Sequence, residues 1–130
     1  MLNRELIEVQ KGCPATCVVL LKEDSDELKN VCRIKASLSD AELFACSLGK
    51  PFFREELEAI SKKEEIAYFI IDGIDEVSEE EQNRYVGLVK DREFMGYELP
   101  ENVIIGVTVS DKEGVKKISG ELYQFCVVTF

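Results

Sequence analysis

Tyr68-Phe69-Ile70-Ile71-Asp72-Gly73-Ile74-Asp75-Glu76-Val77 carries an unbroken apolar run straight into a cluster of three acids. Ile66 to Ile71 has the length and composition of a strand buried on both faces, as in parallel sheets covered by helices. The acids stand where that strand meets a turn. Ser78, with Glu81 three residues on, has the spacing of a capping box, so a helix starts there and buries Tyr85, Leu88 and Val89.

The same alternation extends in both directions. Leu2, Leu6, Ile7 and Val9 predict a short amphipathic helix closed by Gly12 and Pro14, and the apolar run Thr16 to Leu21 predicts the first strand. The polar stretch Lys22 to Glu27 leads through a short helical piece to Val31–Ala36, where apolar and basic residues partly alternate, as in a second strand with one exposed face. Helices are expected over Asp40–Ser47 and Arg54–Lys63, split by Gly49 and Pro51. Gly96 and Pro100 mark a turn. Val103–Val109 is the fourth strand, and a short helix near Glu113–Ile118 precedes a fifth over Phe125–Phe130. Apolar strands alternating with helices predict an α/β fold. It is a three-layer sandwich on a mostly parallel five-stranded sheet, with residues 1–130 as a single domain.

Composition narrows the function. The 130 residues carry a net charge of −10 and a pI near 4.6. That argues against nucleic acid, whose phosphates are bound by clustered Lys and Arg. The chain has no His and no C-x-x-C pair, so a zinc site is not expected. Of the five cysteines, Cys17, Cys32 and Cys126 sit in apolar or alternating runs like small hydrophobes. Cys13 and Cys17, four apart, could form a redox pair, though their apolar neighbours favour packing. Asn3, Arg4, Glu5 and Glu8 interrupt any signal-peptide core, and no apolar run approaches the ~20 residues needed to span a bilayer. A reduced, cytoplasmic setting without membrane contact is expected.

Gln82, Asp91-Arg92, Gly96-Tyr97, Leu99-Pro100-Glu101-Asn102-Val103-Ile104-Ile105, and Ser119 with Phe125 follow one another in a recognisable order. Over the last half of the chain this resembles the core of MoxR-type AAA+ ATPases. In that family a Walker B strand is followed by a Gln-bearing helix, a G-x-x-L-P-x-N connection, the sensor 1 strand and an S-x-x-x-x-R-F arginine-finger segment. Arg4–Leu21 and Arg33–Leu38 resemble the elements around the family's first and second strands. The resemblance implies a P-loop NTPase sheet in the order 5-1-4-3-2. Active members continue into a helical lid where this chain ends at Phe130, so a core lacking the lid is implied.

The family's chemistry can be tested residue by residue. Phosphate binding needs converging backbone N–H groups on a glycine-rich loop, a Lys, and a Ser or Thr for Mg²⁺. After Leu21 stands Lys22-Glu23-Asp24-Ser25-Asp26-Glu27, with no glycine and four acids. Aligning Gly12–Val19 with the loop instead puts Val18 in place of the lysine and Val19 in place of the hydroxyl. Asp72 falls on the Mg²⁺-holding Walker B aspartate, and Gly73 falls where the water-polarising glutamate belongs. A NACHT-like reading keeps Asp72 for the metal and uses Asp75 or Glu76 for the water. The sensor 1 asparagine falls on Val109 or Ser110, and the arginine finger on Gln124. Loss of an arginine finger alone can cost ~10³-fold or more in rate.

Three functions fit the sequence. The first is a non-catalytic AAA+-like domain, a degenerate ATPase acting through protein–protein interaction or assembly. Its partner would be an active AAA+ protein or another copy of itself, with no cofactor expected and no catalytic residue assigned. The second is a Mg²⁺-dependent ATP binder or weak ATPase with an atypical phosphate loop, using Asp72, Asp75 and Glu76, with Lys22 or Lys11 replacing the Walker lysine. The third is a metal-binding flavodoxin-like or receiver-like module, which strand order distinguishes from the others. Against all three stands a plainer reading, in which Asp72, Asp75 and Glu76 are solvated acids at a strand end. Glu23 is then a loop acid, Lys62 and Lys63 a helix C-terminal pair, and Phe52, Phe53 and Tyr97 core or turn packing. Phe52-Phe53 after Pro51, if exposed, would suit a partner contact.

Overall fold

The computed structural model describes residues 17–37, 52–63, 66–94 and 96–129. The helices expected over Leu2–Val9 and Asp40–Ser47 lie outside these residues, as do Lys11 and Cys13 and the side chains of Phe52 and Phe53. In chain order the elements are β1 (Cys17–Leu21), α1 (Lys22–Ser25), β2 (Val31–Lys35), α2 (Phe52–Lys63), β3 (Ala67–Asp72), α3 (Glu79–Asn83), α4 (Val86–Asp91), β4 (Glu93–Phe94), β5 (Tyr97–Glu98), β6 (Val103–Val109), α5 (Gly120–Tyr123) and β7 (Cys126–Val128). Two 3₁₀ turns, Ile74–Glu76 and Lys112–Lys117, follow β3 and β6. No helix among the described residues is long and apolar enough to cross a membrane.

Five strands form one all-parallel sheet in the order β2-β3-β6-β1-β7, flanked by helices. Counting only these five, the order is 5-1-4-3-2, as the sequence resemblance implies. The first strand therefore lies between the fourth and fifth, and the third never touches it. A flavodoxin-like or receiver-like order, 2-1-3-4-5, puts the first and third strands side by side. That topology is not present.

Hydrophobic pattern and position in the sheet agree. The four residues Cys17–Leu20 of β1 and all of β6 are buried, which suits interior strands of a parallel sheet. Edge strand β2 alternates between buried and more accessible residues, and edge strand β7 is half-buried throughout. The larger core lies on the sheet face carrying Val19, Ile34, Phe69, Ile71, Ile105 and Val107, packed with Leu57, Leu88, Val89 and Leu122 from the helices. Burying one such leucine is worth about 1.5–3 kcal/mol. The opposite face holds a smaller set of Val18, Leu20, Ile70 and Ile104.

Three expectations change in detail. The helix expected from Ser78 divides into α3 and α4 at Arg84–Tyr85. Its start is capped as the sequence implies, the Ser78 hydroxyl accepting from the Glu81 amide at 3.2 Å. At the break, fully buried Tyr85 donates its hydroxyl to the Ala36 carbonyl at 2.8 Å, tying the helix to the end of β2. The connection at Gly96–Pro100 contains a small antiparallel hairpin, β4 with β5. Arg92 holds it, donating to the Pro100 and Val103 carbonyls at 2.8 Å each. The helix expected near Glu113–Ile118 is a 3₁₀ turn, and α5 follows it.

Candidate functional site

Read two residues at a time, three neighbouring strands show how the sheet builds its polar end. On the face of the smaller core, β6 runs Ile104, Gly106, Thr108, β3 runs Tyr68, Ile70, Asp72, and β2 runs Val31, Arg33, Lys35. The register sets Arg33 beside Ile70, Lys35 beside Asp72, and Ile70 beside Gly106. Each strand therefore passes from apolar to polar toward its carboxyl end. Open α/β sheets bind their ligands beyond those ends, and a 460 Å³ cavity lies there. Its lining includes Lys22, Lys35, Asp72, Gly73, Glu76 and Ser110.

Asp72 is held from two sides. Arg33 donates to Asp72 Oδ1 at 2.9 Å, and the Thr108 hydroxyl donates to the same oxygen at 3.1 Å. The Thr108 oxygen in turn accepts from the Gly73 amide at 3.0 Å. Arg33 also reaches α1, donating to Ser25 Oγ at 3.1 Å and to the Ser25 carbonyl at 2.8 Å. Its guanidinium lies 3.7 Å from the exposed Asp26 carboxylate. The Arg33 and Asp72 side chains keep 30% and 23% of their exposure, so this is a half-buried pair at the rim of the sheet. One Asp72 oxygen is thus already engaged by a guanidinium and a hydroxyl.

The other acids are placed differently. Asp75, on the 3₁₀ turn, accepts at Oδ2 from the Ser110 hydroxyl at 2.8 Å and the Ser110 amide at 3.2 Å. Its Oδ1 is buried without a hydrogen-bond partner. The carboxylate packs so tightly on Gly114 that a Cβ there would lie 2.6 Å from Oδ2. Glu76 is exposed and folds back over Gly73, its Oε2 lying 2.7 Å from where a Cβ on Gly73 would stand. Gly73 itself has φ +77°. The place of a residue-73 side chain is thus taken by the Glu76 carboxylate. Among the described residues no three His, Cys, Asp or Glu side chains gather closely enough to hold a metal ion.

The segment after β1, where the sequence resemblance would set a phosphate loop, is helical. Leu21 ends β1 and Lys22 begins α1 with no intervening loop, and Asp24 and Ser25 of α1 are buried. Val18 and Val19, which the alternative alignment sets in place of lysine and hydroxyl, are buried inside β1. Lys22 lines the cavity with Asp72, and also an adjoining one with Glu23, Asp26, Asp111 and Lys112.

Of the remaining candidates, Val109 is fully buried at the end of β6, and Ser110 serves Asp75. Gln124 lies in the turn before β7, whose first residue pairs with the first residue of β1. It is therefore at the end of the sheet opposite the cavity, where its side chain donates to the Glu121 carbonyl at 2.9 Å. Gln82 is buried and structural, donating to the Val77 and Lys117 carbonyls and accepting from the Ser119 amide at 2.6 Å. Asp72, Asp75, Glu76, Val109 and Ser110 thus gather at one end of the sheet, and Gln124 does not join them. Sequence reasoning missed Arg33 and Thr108. Their signal was the period-2 alignment of β2, β3 and β6.

Comparison with protein-family models and with curated proteins found no match.

Proposed function

We propose that this chain is a non-catalytic AAA+-like domain, a three-layer sandwich of P-loop NTPase type, acting through protein–protein interaction. Its partner is an active AAA+ protein or a further copy of itself. The observation that carries this reading is the engagement of Asp72 Oδ1 by Arg33 and Thr108, at 2.9 and 3.1 Å. Two further features support it: β1 runs directly into α1, and the strand order is that of the family. A site that hydrolyses ATP needs its carboxylate on the metal and its phosphates on a lysine and backbone amides. Here a guanidinium meets the carboxylate, and the first turn of a helix stands where the amides would converge.

The test is a melting curve with saturating ATP or ADP and Mg²⁺. The expected result is no shift. A ligand that binds the native state at a hundred times its Kd adds about 2.7 kcal/mol, so a clear rise in Tm overturns the proposal. The second reading, a Mg²⁺-dependent ATP binder, draws on Lys22 lining the same cavity as Asp72 and Glu76. It predicts a nucleotide-induced rise that disappears in Lys22→Ala. The partner is sought by affinity capture and by sedimentation across concentrations. Recovery of an AAA+ ATPase or a reversible oligomer supports the interaction role, and a monomer that captures neither counts against it.

A further inference from the structure

Cys17 and Cys126 are the first residues of β1 and β7, and they are direct partners in the parallel register of these strands. Side chains of registered neighbours leave a sheet on the same side, and adjacent strands lie about 4.8 Å apart. That separation falls inside the ~4.4–6.8 Å between Cα atoms that a disulfide can bridge, and below its usual ~5.5–6 Å. Both thiols are free. Cys17 is fully buried, whereas Cys126 is half-exposed on the edge strand and donates to the Leu122 carbonyl at 3.3 Å. Among the described residues β7 has one strand neighbour, β1, and spans three residues. A bond between these two sulfurs would fasten the edge of the sheet.

We propose that Cys17 and Cys126 form a reversible disulfide with a low-molecular-weight disulfide as oxidant, locking β7 onto β1. The Cys126 thiolate attacks one sulfur of oxidised glutathione, breaking its S–S bond and expelling one glutathione thiolate. Cys17 then gives its proton to solvent, and its sulfur attacks Cys126 Sγ in the mixed disulfide. The Cys17–Cys126 bond forms as the second glutathione thiolate leaves, and both glutathione sulfurs take up protons. Two protein thiols lose two electrons in total, and one glutathione disulfide gains them. The second step is the slow one: in the reduced chain the hydrogen bond with Cys126 and burial raise the Cys17 thiol well above its ordinary range, and burial remains once Cys126 is in the mixed disulfide. The thiolate is the attacking species, so closure accelerates about tenfold per pH unit between pH 7 and 9. Cys126 is half-exposed on the edge strand, and exposed disulfides are the readily reduced ones.

The test incubates the native chain with oxidised glutathione at pH 7, 8 and 9. Free thiols are then titrated, and unreduced peptides are mapped by mass spectrometry. The Cys13→Ser variant is run in parallel, since Cys13 lies close in sequence. The expected result is loss of two of the five thiols and a Cys17–Cys126 cross-link that survives Cys13→Ser and is reversed by dithiothreitol. Slower exchange of the Val127 and Val128 amides should accompany it. A glutathione adduct on Cys126 that never closes overturns the proposal, as does a cross-link through Cys13 or no thiol loss. Because the mapping is made on the wild-type chain, the result stands even if Cys17→Ala and Cys126→Ser, the negative controls, fold poorly.

Discussion

Replacing Arg33 by methionine tests whether the polar end of the sheet is structural. Met keeps most of the aliphatic stem and its packing, and removes only the guanidinium. The lost contacts are the bond to Asp72 at 2.9 Å and the two to Ser25 at 3.1 and 2.8 Å. A bond to a charged group contributes about 1.5–3 kcal/mol when well shielded. At 30% and 23% side-chain exposure, water takes back part of this. The three contacts share one donor group and do not add, so a loss of about 2 kcal/mol is expected. For a domain of this size that lowers Tm by roughly 6–8 °C. Chemical denaturation of wild type, Arg33→Met, Asp72→Asn and the double variant closes a cycle whose coupling isolates the pair, expected at about 1–2 kcal/mol. Two results refute the reasoning. One is an Arg33→Met change within about 0.5 kcal/mol, the range of an ordinary surface substitution. The other is a wild-type Tm that rises with Mg²⁺ or Ca²⁺ and no longer does so in Asp72→Asn, which would make Asp72 a metal ligand.

Two further outcomes follow from the same geometry. Gly73→Ala places a Cβ at φ +77°, 2.7 Å from Glu76 Oε2; a cost of about 1–2 kcal/mol is expected for the left-handed backbone, measured by urea denaturation, and Gly73→Asn should cost less. Burial, with Glu56 nearby, pushes the Cys32 thiol up to about 12 from an ordinary value of 9.0, so the folded state holds this proton after the unfolded chain has released it. That stability is complete below pH 9 and falls between pH 9 and 12 by about 1.4 kcal/mol per unit, and alkaline melting curves of Cys32→Ala should lack this component of the decline.

The strands were legible because burial leaves a direct mark on composition. Continuous apolar runs at Thr16–Leu21 and Val103–Val109 gave two interior strands, and partial alternation at Val31–Ala36 gave an edge. The order of strands is a property of long connections, and local pattern does not encode it; the resemblance supplied it. The division of the helix after Ser78 was hidden because Tyr85, Leu88 and Val89 keep a helical spacing across it. At the break the Tyr85 hydroxyl reaches the Ala36 carbonyl, 49 positions away in sequence, a contact that local spacing does not announce. The β4–β5 hairpin was invisible for a simpler reason, since two-residue strands are too short to show a period. Arg33 was visible as a basic residue on an edge strand, but its partner Asp72 lies 39 positions on. Only the register makes them neighbours.

The residues that suggested the family divide by what they require. Gln82 bonds to backbone carbonyls and an amide of this chain, and Arg92 donates to the Pro100 and Val103 carbonyls, so both hold segments of the chain together. Asp72 is different. A carboxylate at the end of a central strand needs a compensating positive charge or hydrogen-bond donors, and in a nucleotide site the cation and its phosphates complete that set. If, as proposed, α1 stands in place of a phosphate loop, those partners are missing and a half-buried carboxylate would be left under-solvated. Arg33 and Thr108 resolve this from within the sheet. The same guanidinium would compete with a divalent cation for Asp72 Oδ1. Under this reading the absent lysine and the present Arg33 are two sides of one change, and restoring a phosphate loop alone would not restore a metal site.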